Sequence, residues 1–181
     1  MPAVPPFYHW LQLRPGAALA DPLLAWLPRH DVSGPLFVLM YGSSVATLAF
    51  VLRRPQLLLR GLWAYLLLQV VRMGVLWLVP LEPPAAALPL PDPFMDQVFH
   101  AQAAPITKDL FFSGHTATTT LLALAVRGRG WRLALGLVAA AVGVLVLVQR
   151  VHYSYDVLAA PLFAGVAYWL AGRSWLSGGA R

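Results

Sequence analysis

The sequence predicts an all-α membrane protein, a polytopic bundle of five transmembrane helices preceded by an N-terminal interfacial helix. Apolar residues make up 59% of the 181 residues and charged residues only 11%, whereas a soluble domain carries about 25% charged residues. Five apolar runs each approach the roughly 20 residues that a helix needs to cross a bilayer. Arginines gather in the short connections between these runs, as in the cytoplasmic loops of membrane proteins.

The N-terminal stretch is expected to stay at the membrane surface. Its apolar segment is interrupted by Asp21 and Pro22. Asp is a favoured N-cap and Pro a favoured first helical residue, so this pair predicts a short helix that ends near Pro28. Residues 1–35 are therefore predicted to form an interfacial segment, with a sixth crossing as the alternative. Residues 36–181 are predicted to form one membrane domain.

The five predicted spans cover residues 36–52, 61–79, 109–126, 133–149 and 153–172. The first and fourth are slightly short, which flanking arginines and tryptophans at the interface can accommodate. On the fourth span, Gly136, Ala140 and Gly143 predict close packing against a neighbouring helix, because small residues let helix backbones approach in a membrane.

Orientation follows from the arginines between spans one and two, between spans three and four, and after span five. The positive-inside rule places those segments in the cytoplasm. Residues 80–108, rich in proline and carrying three acidic residues, then lie outside, as does the link at 150–152. Arg14 and Arg29 would also lie outside, which favours the six-span alternative. The net charge of +6 does not indicate nucleic acid, since the arginines form no single basic face.

Two polar motifs, Ser113-Gly114-His115 and His152-x-x-x-Asp156, lie at the edges of apolar runs. Ionisable groups at such positions are costly, and they indicate a functional site. On the predicted topology, His115 is six residues inside its helix and Arg72 is eight residues before the end of its own. At 1.5 Å per residue, these positions are about 9 Å and about 12 Å deep. The motifs and Arg72 are thus expected to share one outer layer of the bundle.

These side chains suit phosphoryl chemistry. A carboxylate such as Asp156, bonded to one nitrogen of His152, would support the charge that develops when the other nitrogen attacks or takes a proton. His115 could protonate a leaving oxygen. An oxyanion with several oxygens would be neutralised by cations and backbone amides. The candidates for that role are Arg72, Lys108, Ser113, Gly114 and Arg150.

Other interpretations remain open at this level. Single histidines such as His9, His30 and His100 can simply solvate their rings at the interface. His115, His152 and Asp156 could instead be three zinc ligands, with water as the fourth. The polar residues could also only hold helices together in a non-enzymatic transporter or assembly subunit. The absence of cysteine excludes disulfides, thiolate nucleophiles and cysteine-ligated zinc.

The segment from Lys108 to Ala117, KDLFFSGHTA, resembles a signature of the type 2 phosphatidic acid phosphatase superfamily, in the branch that contains sphingomyelin synthases and inositol phosphorylceramide synthases. The segment HYSYDV at 152–157 resembles that branch's other catalytic signature. The stretch from Arg72 to Pro84 is more weakly similar to an Arg-containing helix before an outer loop. The resemblance covers residues 61–172.

The resemblance implies a membrane domain of that type and a double displacement at phosphorus without metal or cofactor. By this resemblance, His152 forms a phosphohistidine, Asp156 orients it and His115 protonates the departing alkoxide. Substrates would be phospholipids, lipid phosphates or sphingolipids at the non-cytoplasmic face. Water, or an alcohol such as diacylglycerol or ceramide, would accept the phosphoryl group.

Two departures favour the sphingomyelin synthase-like branch. Common lipid phosphatases of the superfamily have an arginine six residues before the nucleophilic histidine, where this chain has Val146. Their lysine-containing first motif, which ends in Arg-Pro, is also not visible. Arg72 and Arg150 are therefore the expected replacement contacts for phosphate.

Overall fold

The computed structural model describes residues 4–90, 92 and 107–178, and side chains within 6–173 of those ranges. Seven helices and no strand are found there. They are α1 (Val4–Leu13), α2 (Pro22–Trp26), α3 (Ser33–Val51), α4 (Pro55–Leu78), α5 (Gly114–Ala125), α6 (Arg129–Val148) and α7 (Ser154–Gly178). The predicted all-α class is confirmed.

Four helices, α3, α4, α6 and α7, are long and apolar enough to cross a membrane. Their outward faces are apolar as well: Val38 on α3 is 71% exposed and Leu162 on α7 is 72% exposed. Large apolar side chains that a soluble fold would bury are therefore presented where lipid would cover them. These helices indicate an integral membrane protein, as the composition predicted.

Helix α5 occupies the centre of the bundle, where it packs against α3, α4, α6 and α7. The sequence predicted a span over residues 109–126, but the helix has only 12 residues. At 1.5 Å per residue it is about 18 Å long, well short of the roughly 30 Å hydrocarbon core. It begins late because the side chain of Ser113 caps it, so His115 is its second residue. The expectation that His115 lies six residues inside a helix is wrong.

A row of alanines on α7 faces the core of the bundle. Ala160, Ala164, Ala167 and Ala171 recur at helical spacing, are at most 3% exposed, and belong to one core cluster with residues of α4 and α5. Small side chains of this kind let neighbouring helices approach closely. Next to this row, the rings of Phe112 and Phe163 stack with centroids 4.2 Å apart.

The predicted small-residue face on α6 is confirmed only at Gly143. A Cβ atom there would lie 2.9 Å from Val157 Cγ1, so α6 and α7 could not meet so closely with any larger residue. Gly136 has open space around it, and Ala140 is exposed. Gly136 and Gly143 share one face of α6, but only at Gly143 does a neighbouring helix approach it, so the prediction is wrong for the other two positions.

The N-terminal segment folds as α1 and α2, which have 10 and 5 residues and are too short to cross a bilayer. The prediction that Asp21 caps a helix starting at Pro22 is confirmed, although the helix ends at Trp26. Between the two helices, Ala17 exchanges backbone hydrogen bonds with Pro80 and Glu82. The N-terminal segment thus lies against the connection that follows α4.

Candidate active site

Ser113 ties the beginning of α5 to the beginning of α7. Its hydroxyl oxygen accepts hydrogen bonds from the amide and the hydroxyl of Thr116, at 3.4 and 3.1 Å. Its own amide donates to the carbonyl of Asp156 at 3.1 Å. Ser113 is completely buried. The two polar motifs of the sequence are therefore joined directly, and the Ser113 amide is engaged within the protein.

The amides of Gly114 and His115 open the first turn of α5. Amides at this position have no acceptor within their own helix, and they carry the positive end of the helix dipole. A Cβ atom on Gly114 would lie 2.7 Å from both Cζ and Nη1 of Arg72. Glycine therefore allows a guanidinium to lie directly against the start of the helix, which concentrates positive character there.

Arg72 is only 5% exposed and is held on two sides. Its Nη2 lies 2.8 Å from a carboxylate oxygen of Asp109, and its Nη1 donates to the carbonyl of Phe112. Arg72 thereby braces the turn that leads into α5. The sequence motif contained Asp109 but gave it no role. Two sequence features could have indicated a role for Asp109. It is an acidic residue next to an apolar run, and Arg72 is a similarly costly charge inside another apolar run.

His152 and Asp156 lie together at the start of α7, both almost fully buried. Nδ1 of His152 is 3.5 Å from Oδ2 of Asp156, which is an ion-pair distance and longer than a good hydrogen bond. Oδ2 also accepts the amide of Tyr153 at 2.9 Å. The carboxylate is thus fixed by the backbone and faces the imidazole. Catalytic hydrogen bonds are often longer before substrate binds.

The second imidazole completes the cluster. The rings of His115 and His152 have centroids 6.1 Å apart and meet edge to face. His115 is partly exposed, although its Nδ1 atom is buried without a hydrogen-bond partner among the described residues. The structure therefore brings together Arg72, Ser113, Gly114, His115, His152 and Asp156. Their catalytic and phosphate-binding roles stay predictions.

Lys108 and Arg150 have their cationic groups engaged by other partners. Lys108 Nζ lies 2.7 Å from Glu82 Oε1, and this hydrogen bond lowers the pKa of the Glu82 carboxyl. Arg150 donates to the carbonyls of Leu24 and Leu27. Both residues join the N-terminal half of the chain to the site-bearing segments. Phosphate binding by either one stays a prediction.

Gln149 was not singled out in the sequence, yet it is completely buried beside the site-bearing loop. Its side-chain oxygen accepts the amide of Val32 at 2.7 Å, and its nitrogen donates to the carbonyl of Pro89 at 2.9 Å. One amide side chain thus joins the start of α3, the outer connection and the end of α6. Its only sequence signal was a polar residue ending an apolar run.

Within the described ranges, no group of three His, Asp or Glu side chains has the arrangement of a metal site. The zinc interpretation therefore gains no geometric support from these residues. The test that separates it from a metal-independent reaction is the effect of a chelator on activity.

Residues 108–173 match the family model described as PAP2 superfamily C-terminal. The matched segment includes both histidine motifs and leaves Arg72 outside. No curated protein and no solved structure matches the chain. Over this segment, which is less than half of the chain, the protein is similar to the type 2 phosphatidic acid phosphatase superfamily.

Proposed function

We propose that this protein is a membrane enzyme that removes or transfers a phosphoryl or phospho-head-group of a lipid through a phosphohistidine at His152. One observation carries the proposal. Among the described residues, His115, His152 and Asp156 each have one buried side-chain polar atom without a hydrogen-bond partner. Buried polar atoms in folded proteins are nearly always satisfied, so such a concentration marks groups kept for a ligand or a reaction.

The first step forms the phosphohistidine. Nε2 of His152 attacks phosphorus, the bond between phosphorus and the lipid oxygen breaks, and His115 gives its proton to that oxygen. Asp156 faces Nδ1 of His152 and stabilises the positive charge that develops on the ring. The amides of Gly114 and His115, with Arg72 beside them, provide positive character for the phosphoryl oxygens.

The second step releases the phosphoryl group. An acceptor hydroxyl gives its proton to His115 and attacks phosphorus, the nitrogen–phosphorus bond breaks, and His152 is restored. Water as acceptor yields free phosphate or a free phospho-head-group. An alcohol such as diacylglycerol or ceramide yields a new phospholipid, as in the sphingomyelin synthase-like branch. The similarity of both motifs to that branch supports transfer as the second outcome.

The test uses purified protein in detergent or vesicles and a panel of labelled lipids: phosphatidic acid, ceramide phosphate, phosphatidylcholine and phosphatidylinositol. Each is supplied with and without diacylglycerol or ceramide. Free phosphate or a free phospho-head-group as sole product supports hydrolysis, and an acceptor-dependent phospholipid supports transfer. Turnover is expected to persist in EDTA. Loss of activity on chelation would favour the zinc interpretation, and no turnover of any lipid would favour a non-catalytic membrane protein.

We further propose that the site faces the non-cytoplasmic side, because arginines dominate the loops at the opposite ends of the helices. The chain has no cysteine, so an introduced cysteine is its only thiol, and labelling of that thiol shows on which side of the membrane the position lies. In intact cells, Ala85→Cys in the outer connection is expected to react with an impermeant thiol reagent. Arg127→Cys, between α5 and α6, is expected to react only after the membrane is opened. Both positions are exposed in the structure. The reverse pattern would contradict the orientation.

A further inference from the structure

The loop that carries His152 is held by the N-terminal segment. Arg150 donates to the carbonyls of Leu24 and Leu27, on and after α2. Tyr153 accepts the amide of Leu19 at its hydroxyl, 3.2 Å away. Residues on both sides of the proposed nucleophile are thus anchored to residues 19–27, outside the segment that matches the family model.

Asp21 makes the most direct of these connections. Its Oδ1 accepts the amides of Leu23 and Leu24, at 3.0 and 3.4 Å, and so caps α2. Its Oδ2 accepts the amide of Ser154 at 2.6 Å. Ser154 is the first residue of α7, two residues after His152 and two before Asp156. One carboxylate therefore caps two helices at once.

The ionised form of Asp21 suits this arrangement. Partial burial opposes ionisation, but hydrogen bonds from Ser154, Leu24 and Leu23 outweigh it, and the pKa of Asp21 is below its ordinary value. The contact is thus present at neutral pH and is lost only as the pH falls through that lowered value. Negative charge is also favourable at the positive end of each helix dipole.

We propose that Asp21 is a positioning residue for His152 and Asp156, and this inference rests on the proposed function. Asp21 touches neither the imidazoles nor, by this proposal, the substrate. It fixes the backbone at Ser154, and through it the angle at which the imidazole and the carboxylate face each other. Two oxygens are required, because an asparagine has only one acceptor and its NH₂ group cannot accept the Ser154 amide.

The kinetic test compares Asp21→Asn with Asp31→Asn. Asp31 also accepts the amide of a helix-start residue, Ser33, and a 3.3 Å hydrogen bond from the side chain of Gln149, but α3 carries none of the proposed catalytic residues. Asp21→Asn is expected to lower kcat about tenfold with KM changed by less than about twofold, because reacting groups are misaligned while binding surfaces remain. Asp31→Asn should leave kcat within about twofold. Equal losses of kcat in both variants would overturn the proposal, since they would indicate a general loss of stability.

A second measurement does not depend on activity. His152 is 3% exposed, so diethyl pyrocarbonate is expected to modify it slowly, with the site read by mass spectrometry. Asp21→Asn should speed modification of His152 several-fold, and Asp31→Asn should not. Unchanged labelling in Asp21→Asn would overturn the positioning role even if the protein turned over no lipid. Faster labelling in an inactive protein would keep the positioning role and reject the proposed reaction.

Discussion

Replacing His152 by alanine is expected to lower kcat/KM for a lipid phosphate by at least about a thousandfold, because the proposed reaction has no nucleophile without it. The fold should persist, since the start of α7 is held by the amides of Tyr153 and Ser154, which donate to Asp156 and Asp21. Activity is followed by release of labelled phosphate, and folding by gel filtration and thermal unfolding in detergent. His30→Ala is the matched control, because His30 is exposed on the N-terminal segment. Substantial turnover by folded His152→Ala would reject the phosphohistidine.

The same comparison separates the roles of the two imidazoles. Wild-type enzyme quenched in alkali, where phosphohistidine survives, should carry phosphate on the peptide that contains His152. His115→Ala should lose about a hundredfold or more on a lipid phosphate, whose alkoxide needs a proton. Its loss should be much smaller on a nitrophenyl phosphate, whose leaving group departs unprotonated. An equal loss on both substrates would contradict the role of His115 as general acid.

Replacing Arg72 by leucine should have the second largest effect. Removing one partner of a buried ion pair leaves the other uncompensated, at a cost of about 3–5 kcal/mol, and partial exposure of Asp109 places this case near about 3 kcal/mol. The carbonyl of Phe112 also loses its donor, so the turn before α5 should loosen. We expect a marked fall in unfolding temperature and a loss of activity of about a hundredfold.

The double variant Arg72→Leu/Asp109→Leu distinguishes bracing from phosphate binding. Replacing both members of a buried pair by apolar residues is often nearly neutral for stability, so the unfolding temperature should recover. If Arg72 contributes its charge to the phosphoryl group, activity will stay low in this stable protein. Recovery of activity together with stability would show that Arg72 only braces the turn. Wild-type stability in Arg72→Leu alone would contradict the buried ion pair.

Much of the architecture could be predicted because a bilayer allows few solutions. Backbone N–H and C=O groups in the hydrocarbon core must form hydrogen bonds within their own segment, so long apolar runs form helices. The cap at Asp21 could also be predicted, because it depends only on that residue and its immediate neighbours. The length of the central helix α5 could not be predicted. Its apolar content resembles that of a span, but the length of a helix enclosed by protein is not set by the bilayer.

Contacts between distant segments explain the other differences. The small residues of α6 gave no indication of where along their face a neighbouring helix would approach, and only Gly143 contacts Val157. The row of alanines on α7 was equally visible in the sequence, yet it lines the core only because of how α4 and α5 pack on it. Hydrophobicity specifies that a helix is apolar. It does not specify its rotation when the helix is apolar all round.

By itself, the sequence determined the chemical inventory of the candidate site and its setting in a membrane. Two histidines, a carboxylate and an arginine are too costly beside apolar runs to be incidental. Only the tertiary structure decided which of their neighbours matter: Asp109 against Arg72, and Asp21 at the start of α7. The physical reason is that a residue's type sets what it can bind. Its partner is set by how the helices pack, as for Asp21 and Ser154, which lie 133 positions apart along the chain.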